Sequence, residues 1–134
     1  MEIKIDIETA GVEVGKWLDY KRVKPEIRQM YAHYISQLVL GVCYGDLEIN
    51  ADFTIKHNLN FPITNKDGIV WKDSFIYKPR LTVAEIVSSR INDSQGMETI
   101  IKIASVATNE MEGTINKIDS IDLGILQAIV IFFT

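Results

Sequence analysis

The sequence predicts an α+β fold in which a small, mostly antiparallel sheet packs against one long helix and is followed by a C-terminal helical cluster. Three patterns indicate this fold. Apolar and polar residues alternate in several short segments, as they do in strands with one buried face. Apolar residues recur at helical spacing between Pro25 and Gly45. The last third of the chain is strongly apolar and contains helix-capping signals.

The front of the chain is predicted to be extended. Ile3, Ile5 and Ile7 alternate with charged residues, which is the period-two pattern of a half-buried strand. A shorter extended segment is expected over residues 12–18, followed by a basic linker. We therefore expect this region to supply a strand to the sheet.

One long helix and a second strand are expected next. The helix should begin at Pro25, because the missing proline N–H is tolerated in the first turn of a helix, and it should end at Gly45. Alternation over residues 47–56 then predicts a strand.

A hairpin is predicted between residues 59 and 77. Strands over 59–64 and 69–77 flank Asn-Lys-Asp-Gly at 65–68, which predicts a tight turn because Asn and Asp bond their own backbone and Gly takes a positive φ freely. Pro62 lacks an N–H for a central ladder, so its strand is expected to lie at an edge or to be kinked there.

Three helices are expected after the hairpin. Thr82 and Glu85 form a capping-box pattern that begins the first helix, over residues 81–90. A break over 92–96 separates it from a second helix around residues 97–107.

The third helix, over residues 121–133, is expected to be capped by Asp119 or Ser120. It is apolar almost all round, so it must be covered by its own domain or by another chain. We expect the chain to form a homo-oligomer through this helix.

The composition is typical of one folded domain. The chain has 134 residues, of which 47% are hydrophobic and 24% charged, and its formal net charge is −4. We expect a single domain over residues 1–134, and the one plausible seam lies near residue 45, between a front (1–45) and a back (46–134). The acidic balance provides no basic face for nucleic acid.

The sequence favours a cytoplasmic location. Cys43 is the only cysteine, so no intrachain disulfide is expected and a reducing compartment is indicated. The N-terminal residues lack the basic head and apolar core of a signal peptide. The longest uncharged apolar stretch, residues 123–133, is about half the roughly 20 residues that a membrane helix needs.

No catalytic, cofactor or metal site is expected. A zinc site needs three or four well-placed ligands, and neither His33 nor His57 has them at a convincing spacing. We expect His33 to be solvated and His57 to lie in a polar patch after a strand. Close carboxylate pairs such as Asp119 and Asp122 are explained by caps and turns. No phosphate-binding loop or nucleophile motif occurs.

Binding of a partner protein is the functional hypothesis that remains. Tryptophan and tyrosine often anchor interfaces, although aromatic residues on amphipathic elements are more often part of the core. Together with the apolar last helix, this gives five candidate partner-binding residues: Trp71, Ile125, Ile129, Phe132 and Phe133.

Residues 58–133 also contain a series of short motifs in a characteristic order. They are Leu-Asn-Phe-Pro-Ile at 59–63, Asp-Gly at 67–68, Lys-Pro-Arg-Leu-Thr-Val-Ala-Glu at 78–85, and an Ile-Asp-Ser-Ile-Asp start at 118–122 that leads into an apolar run ending in Phe-Phe. In this order and spacing the chain resembles the phage tail assembly chaperones of Mu-like and P2-like contractile-tailed phages.

The resemblance implies a non-enzymatic role without a cofactor. A protein of this family binds the helical tape measure protein in the bacterial host cytoplasm and prevents its aggregation until the tail tube assembles. An apolar groove that accepts an amphipathic helix is the recognition mode expected of such a chaperone. The alternative is a structural tail or baseplate component that is retained in the virion.

Overall fold

The structure of the protein is a computed structural model that describes residues 2–89 and 96–133, without the side chains of 87–89. The α+β class is confirmed. In chain order the elements are α1 (Ile7–Tyr20), α2 (Pro25–Met30), α3 (Ala32–Tyr44), β1 (Leu47–Ile49), β2 (Ile55–Thr64), β3 (Val70–Tyr77), α4 (Val83–Ser89), α5 (Met97–Thr108), α6 (Glu112–Ile115), α7 (Ser120–Val130) and a 3₁₀ turn (Ile131–Phe133).

The N-terminal strand prediction is wrong, because residues 3–6 form no strand and helix α1 begins at Ile7. Asp6 is the helix N-cap, and its side chain accepts hydrogen bonds from the backbone N–H and the hydroxyl of Thr9, both at 2.9 Å. Ile3 and Ile7 are exposed, whereas Ile5 is partly buried against the core, so the three alternating isoleucines do not share one buried face. The extended segment predicted over 12–18 lies inside the same helix. Its buried residues follow helical spacing: Ala10, Val14, Trp17 and Leu18.

The single long helix is in fact two helices. Pro25 begins α2, as predicted, and Gly45 ends α3 with a φ of +84°, a left-handed conformation that glycine adopts without steric cost. Between them, Tyr31 leaves the helical conformation, with φ −107° and ψ 28°. Its ring meets Phe132 edge-on, with 6.0 Å between the ring centroids.

The three strands form one antiparallel sheet in the order β1-β2-β3. The single strand predicted over 47–56 is wrong, because the chain reverses after Asn50 and Leu47 pairs with His57. Phe53 takes a φ of +67° in this turn and its ring stacks on Tyr20 at 4.4 Å. The apolar alternation therefore continues through a turn whose aromatic residue packs on α1.

The β2–β3 hairpin agrees with the sequence prediction. Asn65 Oδ1 accepts hydrogen bonds from the N–H groups of Asp67 and Ile69, and Gly68 has a φ of +76°. The strand pairing shifts between Asn58 and Ile63, which creates a bulge that contains Pro62. The predicted kink at this proline is thereby confirmed, although β2 is the central strand.

The helix starts in the C-terminal part are confirmed where the structure describes them. The N–H of Thr82 donates to Glu85 Oε1 at 2.9 Å, and the N–H of Glu85 donates to Thr82 Oγ1 at 3.2 Å. Asp119 caps α7 by accepting from the N–H of Ile121. The predicted end of the capping-box helix at residue 90 and the break over 92–95 lie outside the described residues.

Helix α7 lies at the centre of the packing. It contacts α3, α5 and β2, while α1 packs on α3 and on β1. Leu126, Ala128, Ile129 and Val130 are fully buried. The sequence left open whether this apolar helix is covered by its own domain or by another chain. In the structure, residues of its own chain cover it.

Candidate functional site

The most apolar open groove among the described clefts lies between α3 and the first half of α7. It has a volume of about 270 Å³. We call it the α3–α7 groove, and its lining residues are Gln37, Leu40, Gly41, Tyr44, Asp46, Ile121, Gly124 and Ile125.

Helical spacing gives the groove two apolar walls. Leu40 and Tyr44 are four residues apart on α3, and Ile121 and Ile125 are four residues apart on α7, so each pair lies on one helix face. Ile121 is 62% exposed and Leu40 is 45% exposed. These walls are therefore open to a partner in the isolated chain.

A glycine keeps the α7 side of the groove open. A Cβ added to Gly124 would meet no other heavy atom within 4 Å. Glycine is unfavourable inside a helix by roughly 0.5–1 kcal/mol relative to alanine, so its presence here has no benefit for the helix itself. The gap instead lets another main chain or side chain approach α7 closely.

The structure does not bring the five predicted partner-binding residues together. Only Ile125 lines the α3–α7 groove. Ile129 is 0% exposed, and Phe133 is buried as well, so the isolated chain does not present them. Phe132 is half-buried, with its ring edge-on to Trp17 at 5.9 Å. The apolar end of the chain therefore belongs to the core around α1.

Trp71 lies elsewhere, on the β2–β3 hairpin. It is 55% exposed, and the Lys117 ammonium lies 4.9 Å from the centroid of its ring. Its neighbours Ile69 and Val70 are also exposed. These three exposed side chains lie at the start of β3, beside the hairpin turn, and are here called the hairpin surface.

Sequence reasoning placed His57 in a polar patch, which is wrong, because this side chain is fully buried inside β2. Its Nδ1 lies 3.3 Å from the Tyr77 hydroxyl and its Nε2 lies 3.9 Å from Asp122 Oδ1. Burial lowers the pKa of His57 to about 4, and the Asp122 carboxylate opposes this shift. Burial, and then the same carboxylate, raise the pKa of Tyr77 above its ordinary range. His33, by contrast, is exposed as predicted.

The Asp122 carboxylate holds the bulge of β2. Its Oδ1 accepts the N–H of Asn60 at 2.8 Å and its Oδ2 accepts the N–H of Phe61 at 3.0 Å. These N–H groups lie in the segment where β2 has no ladder partner. His57, Tyr77 and Asp122 are each 0% exposed, so no substrate reaches them in this conformation. Their evident role is to join α7 to the sheet.

The pattern Ile118-Asp119-Ser120-Ile121-Asp122 did not indicate this contact. Asp122 lies in the first turn of α7, and the sequence indicated no role for it beyond a helix cap or turn. Its partners are 61 and 62 residues away in the chain, a separation that no local pattern reports.

The part of the chain that the structure describes contains no helix long and apolar enough to cross a membrane. Within residues 2–89 and 96–133, no three His, Cys, Asp or Glu side chains are placed to hold a metal ion. No protein-family model, curated protein or solved structure matches the chain.

Proposed function

We propose that this protein is a non-enzymatic phage tail assembly chaperone that binds a helical segment of the tape measure protein in the α3–α7 groove. The observation that carries the proposal is an open groove between two helices, with apolar walls and a glycine on one side. The sequence resemblance over residues 58–133 supports the identity of the partner. The proposed location is the cytoplasm of the bacterial host.

An amphipathic helix is the occupant that fits this geometry best. Such a helix presents apolar side chains three and four residues apart, and they would alternate with the Leu40–Tyr44 and Ile121–Ile125 pairs. The close approach allowed by Gly124 suits the backbone of a packed helix. Covering Ile121 and Leu40 would remove apolar area from water, at roughly 25 cal/mol per Å².

The rival function is that of a structural tail or baseplate component retained in the virion. The hairpin surface favours it, because exposed tryptophan and aliphatic side chains are typical of permanent subunit contacts. We propose that this surface also mediates self-association. Mass spectrometry of purified particles separates the two functions, since a chaperone is absent from them and a structural subunit is present.

Co-expression with the tape measure protein tests the chaperone proposal. The wild-type chain should raise the soluble yield of that partner, and Ile121→Asp or Leu40→Asp should abolish the effect. Both side chains are substantially exposed, so these changes should leave the fold intact. Ile129→Asp is unsuitable as a test of binding, because it would place a charge in the core and destabilise the fold.

The matched control is Val12→Asp, which places the same charge on an exposed apolar position of α1. It should preserve the chaperone effect. Circular dichroism on every variant separates loss of binding from loss of folding. If the folded wild-type chain neither binds nor solubilises the tape measure protein, and is found in finished particles, the chaperone proposal fails.

A further inference from the structure

A small cleft of about 200 Å³ lies where the end of α1 meets the segment before α4 and the C-terminal 3₁₀ turn. We call it the Lys21–Arg80 pocket. Its lining residues are Lys21, Arg80, Leu81, Phe132 and Phe133. It is separate from the residues that line the α3–α7 groove.

The Lys21 ammonium is held in this pocket by aromatic rings and one carbonyl. Its Nζ lies 3.6 Å from the ring centroid of Phe133 and 5.3 Å from that of Trp17. It donates one hydrogen bond to the carbonyl oxygen of Pro79 at 3.0 Å. An ammonium has three donors, and in the described residues no other acceptor bonds to Nζ.

Arg80 brings a second positive charge to the same pocket. Its guanidinium stacks over the Tyr20 ring at 4.9 Å and donates from Nη2 to the Tyr20 carbonyl oxygen at 2.6 Å. These contacts fix the planar group and leave further N–H donors. Lys21 and Arg80 are 59 positions apart in the chain, and both line this pocket.

The pair has no counterion in the part of the chain that is described. No described carboxylate lies within ion-pair distance of Lys21 or Arg80. Burial, and then the charge of Arg80, lower the pKa of Lys21 to about 8. The partly buried Lys21 ammonium and the more exposed Arg80 guanidinium repel each other, and an anion between them would offset this repulsion and the desolvation of Lys21.

We propose that the Lys21–Arg80 pocket binds a small oxyanion, a carboxylate or a phosphate, between the Lys21 ammonium and the Arg80 guanidinium. The guanidinium supplies paired donors that match two oxygens, and the ammonium supplies a point charge. A volume of about 200 Å³ is enough for such an ion and a few waters.

Side-chain NMR of Lys21 provides the test. The pKa of the ammonium is measured in the wild-type chain with sodium phosphate, sodium acetate or sodium chloride at equal ionic strength. Phosphate or acetate should shift the Lys21 signals saturably and raise this pKa by at least one unit toward its ordinary value. By linkage, one unit corresponds to an approximately tenfold preference of the anion for the charged lysine.

Three variants test whether the anion-induced shift of the Lys21 signals depends on Lys21 and Arg80. Arg80→Met, a change at an exposed position, should abolish the saturable shift of Lys21. Lys66→Met removes one charge from the distant hairpin turn and should leave the shift unchanged. Lys21→Met, read from the Arg80 side-chain signals, should also remove binding.

The result also distinguishes the source of the anion. Saturation by phosphate alone supports a phosphate site, and saturation by acetate alone supports a carboxylate site, such as an acidic side chain. A response that does not saturate, that chloride reproduces, or that persists in Arg80→Met overturns the proposal and leaves Lys21 as a lysine that only covers the aromatic cluster.

Discussion

Asp122→Asn should destabilise the protein by about 3 kcal/mol, because both oxygens of this buried carboxylate accept hydrogen bonds from backbone N–H groups of β2. Oδ1 accepts from Asn60 and Oδ2 accepts from Phe61. An asparagine has only one acceptor oxygen, so its amide group would face one of these N–H donors. The loss of a hydrogen bond to a charged acceptor costs about 1.5–3 kcal/mol, and the remaining bond weakens because it becomes neutral. Relief of a buried charge offsets part of this cost.

Urea denaturation measures this effect. With an m-value of roughly 1–3 kcal/mol per M, the unfolding midpoint should fall by about 1–3 M. Hydrogen exchange at the N–H groups of Asn60 and Phe61 should become faster at the same time. Asp119→Ala, which removes only the exposed cap of the same helix, should cost about 1 kcal/mol. A midpoint shift for Asp122→Asn no larger than that of the Asp119 control would show that the carboxylate does not hold the bulge.

Four further predictions concern pH, the groove, a cap and assembly. Burial lowers the pKa of His57 from 6.5 to about 4, so the unfolded chain binds more protons in this range and stability should rise by about 3 kcal/mol between pH 4 and 6.5. Urea unfolding across pH should show this rise, and His57→Gln should reduce it. Gly124→Ala should raise the free energy of unfolding by about 0.5–1 kcal/mol and weaken binding of the partner helix. Binding as strong as that of the wild-type chain would contradict the proposal that the partner approaches α7 at Gly124. Thr82→Ala should cost about 1 kcal/mol by denaturation, since Oγ1 caps α4. Light scattering should show a dimer or larger assembly that Trp71→Asp dissociates, and a monodisperse wild-type monomer would refute this.

Elements with local chemical signals could be predicted from the sequence. The turn that ends in Gly68, the capping box at Thr82 and the cap at Asp119 each depend on residues within five positions of one another. Such contacts form wherever the local backbone allows them, so a residue pattern is enough to identify them. Gly45 belongs to the same class, because its positive φ is a property of one residue.

Elements decided by distant contacts could not be predicted in this way. Three alternating isoleucines suit a strand, but the burial of Trp17 against Phe132 and the cap at Asp6 favour a helix. The turn near Asn50 was not predicted, because the apolar alternation continues through it. Phe53 is apolar in this turn because it packs on Tyr20. Tertiary packing overrides a short periodicity in both cases.

The candidate site was predicted only in part. Ile125 lines the α3–α7 groove, whereas the open gap at Gly124 and the exposed wall residue Leu40 were not anticipated. The strongly apolar sequence of α7 indicates that other parts of a protein cover this helix. It does not indicate which face of the helix remains exposed after α3, α5 and β2 have packed on it. The buried contacts of His57 and Asp122 likewise depend on two segments that meet only in the folded chain.

Methyl NMR of the chain, alone and bound to a helical fragment of the tape measure protein, measures whether the partner binds in the α3–α7 groove. The methyl signals of Leu40, Ile121 and Ile125 should shift on binding, while those of Ile69 and Val70 on the hairpin surface should not. Shifts confined to the hairpin surface, or no shifts at saturating fragment, would contradict recognition through the α3–α7 groove.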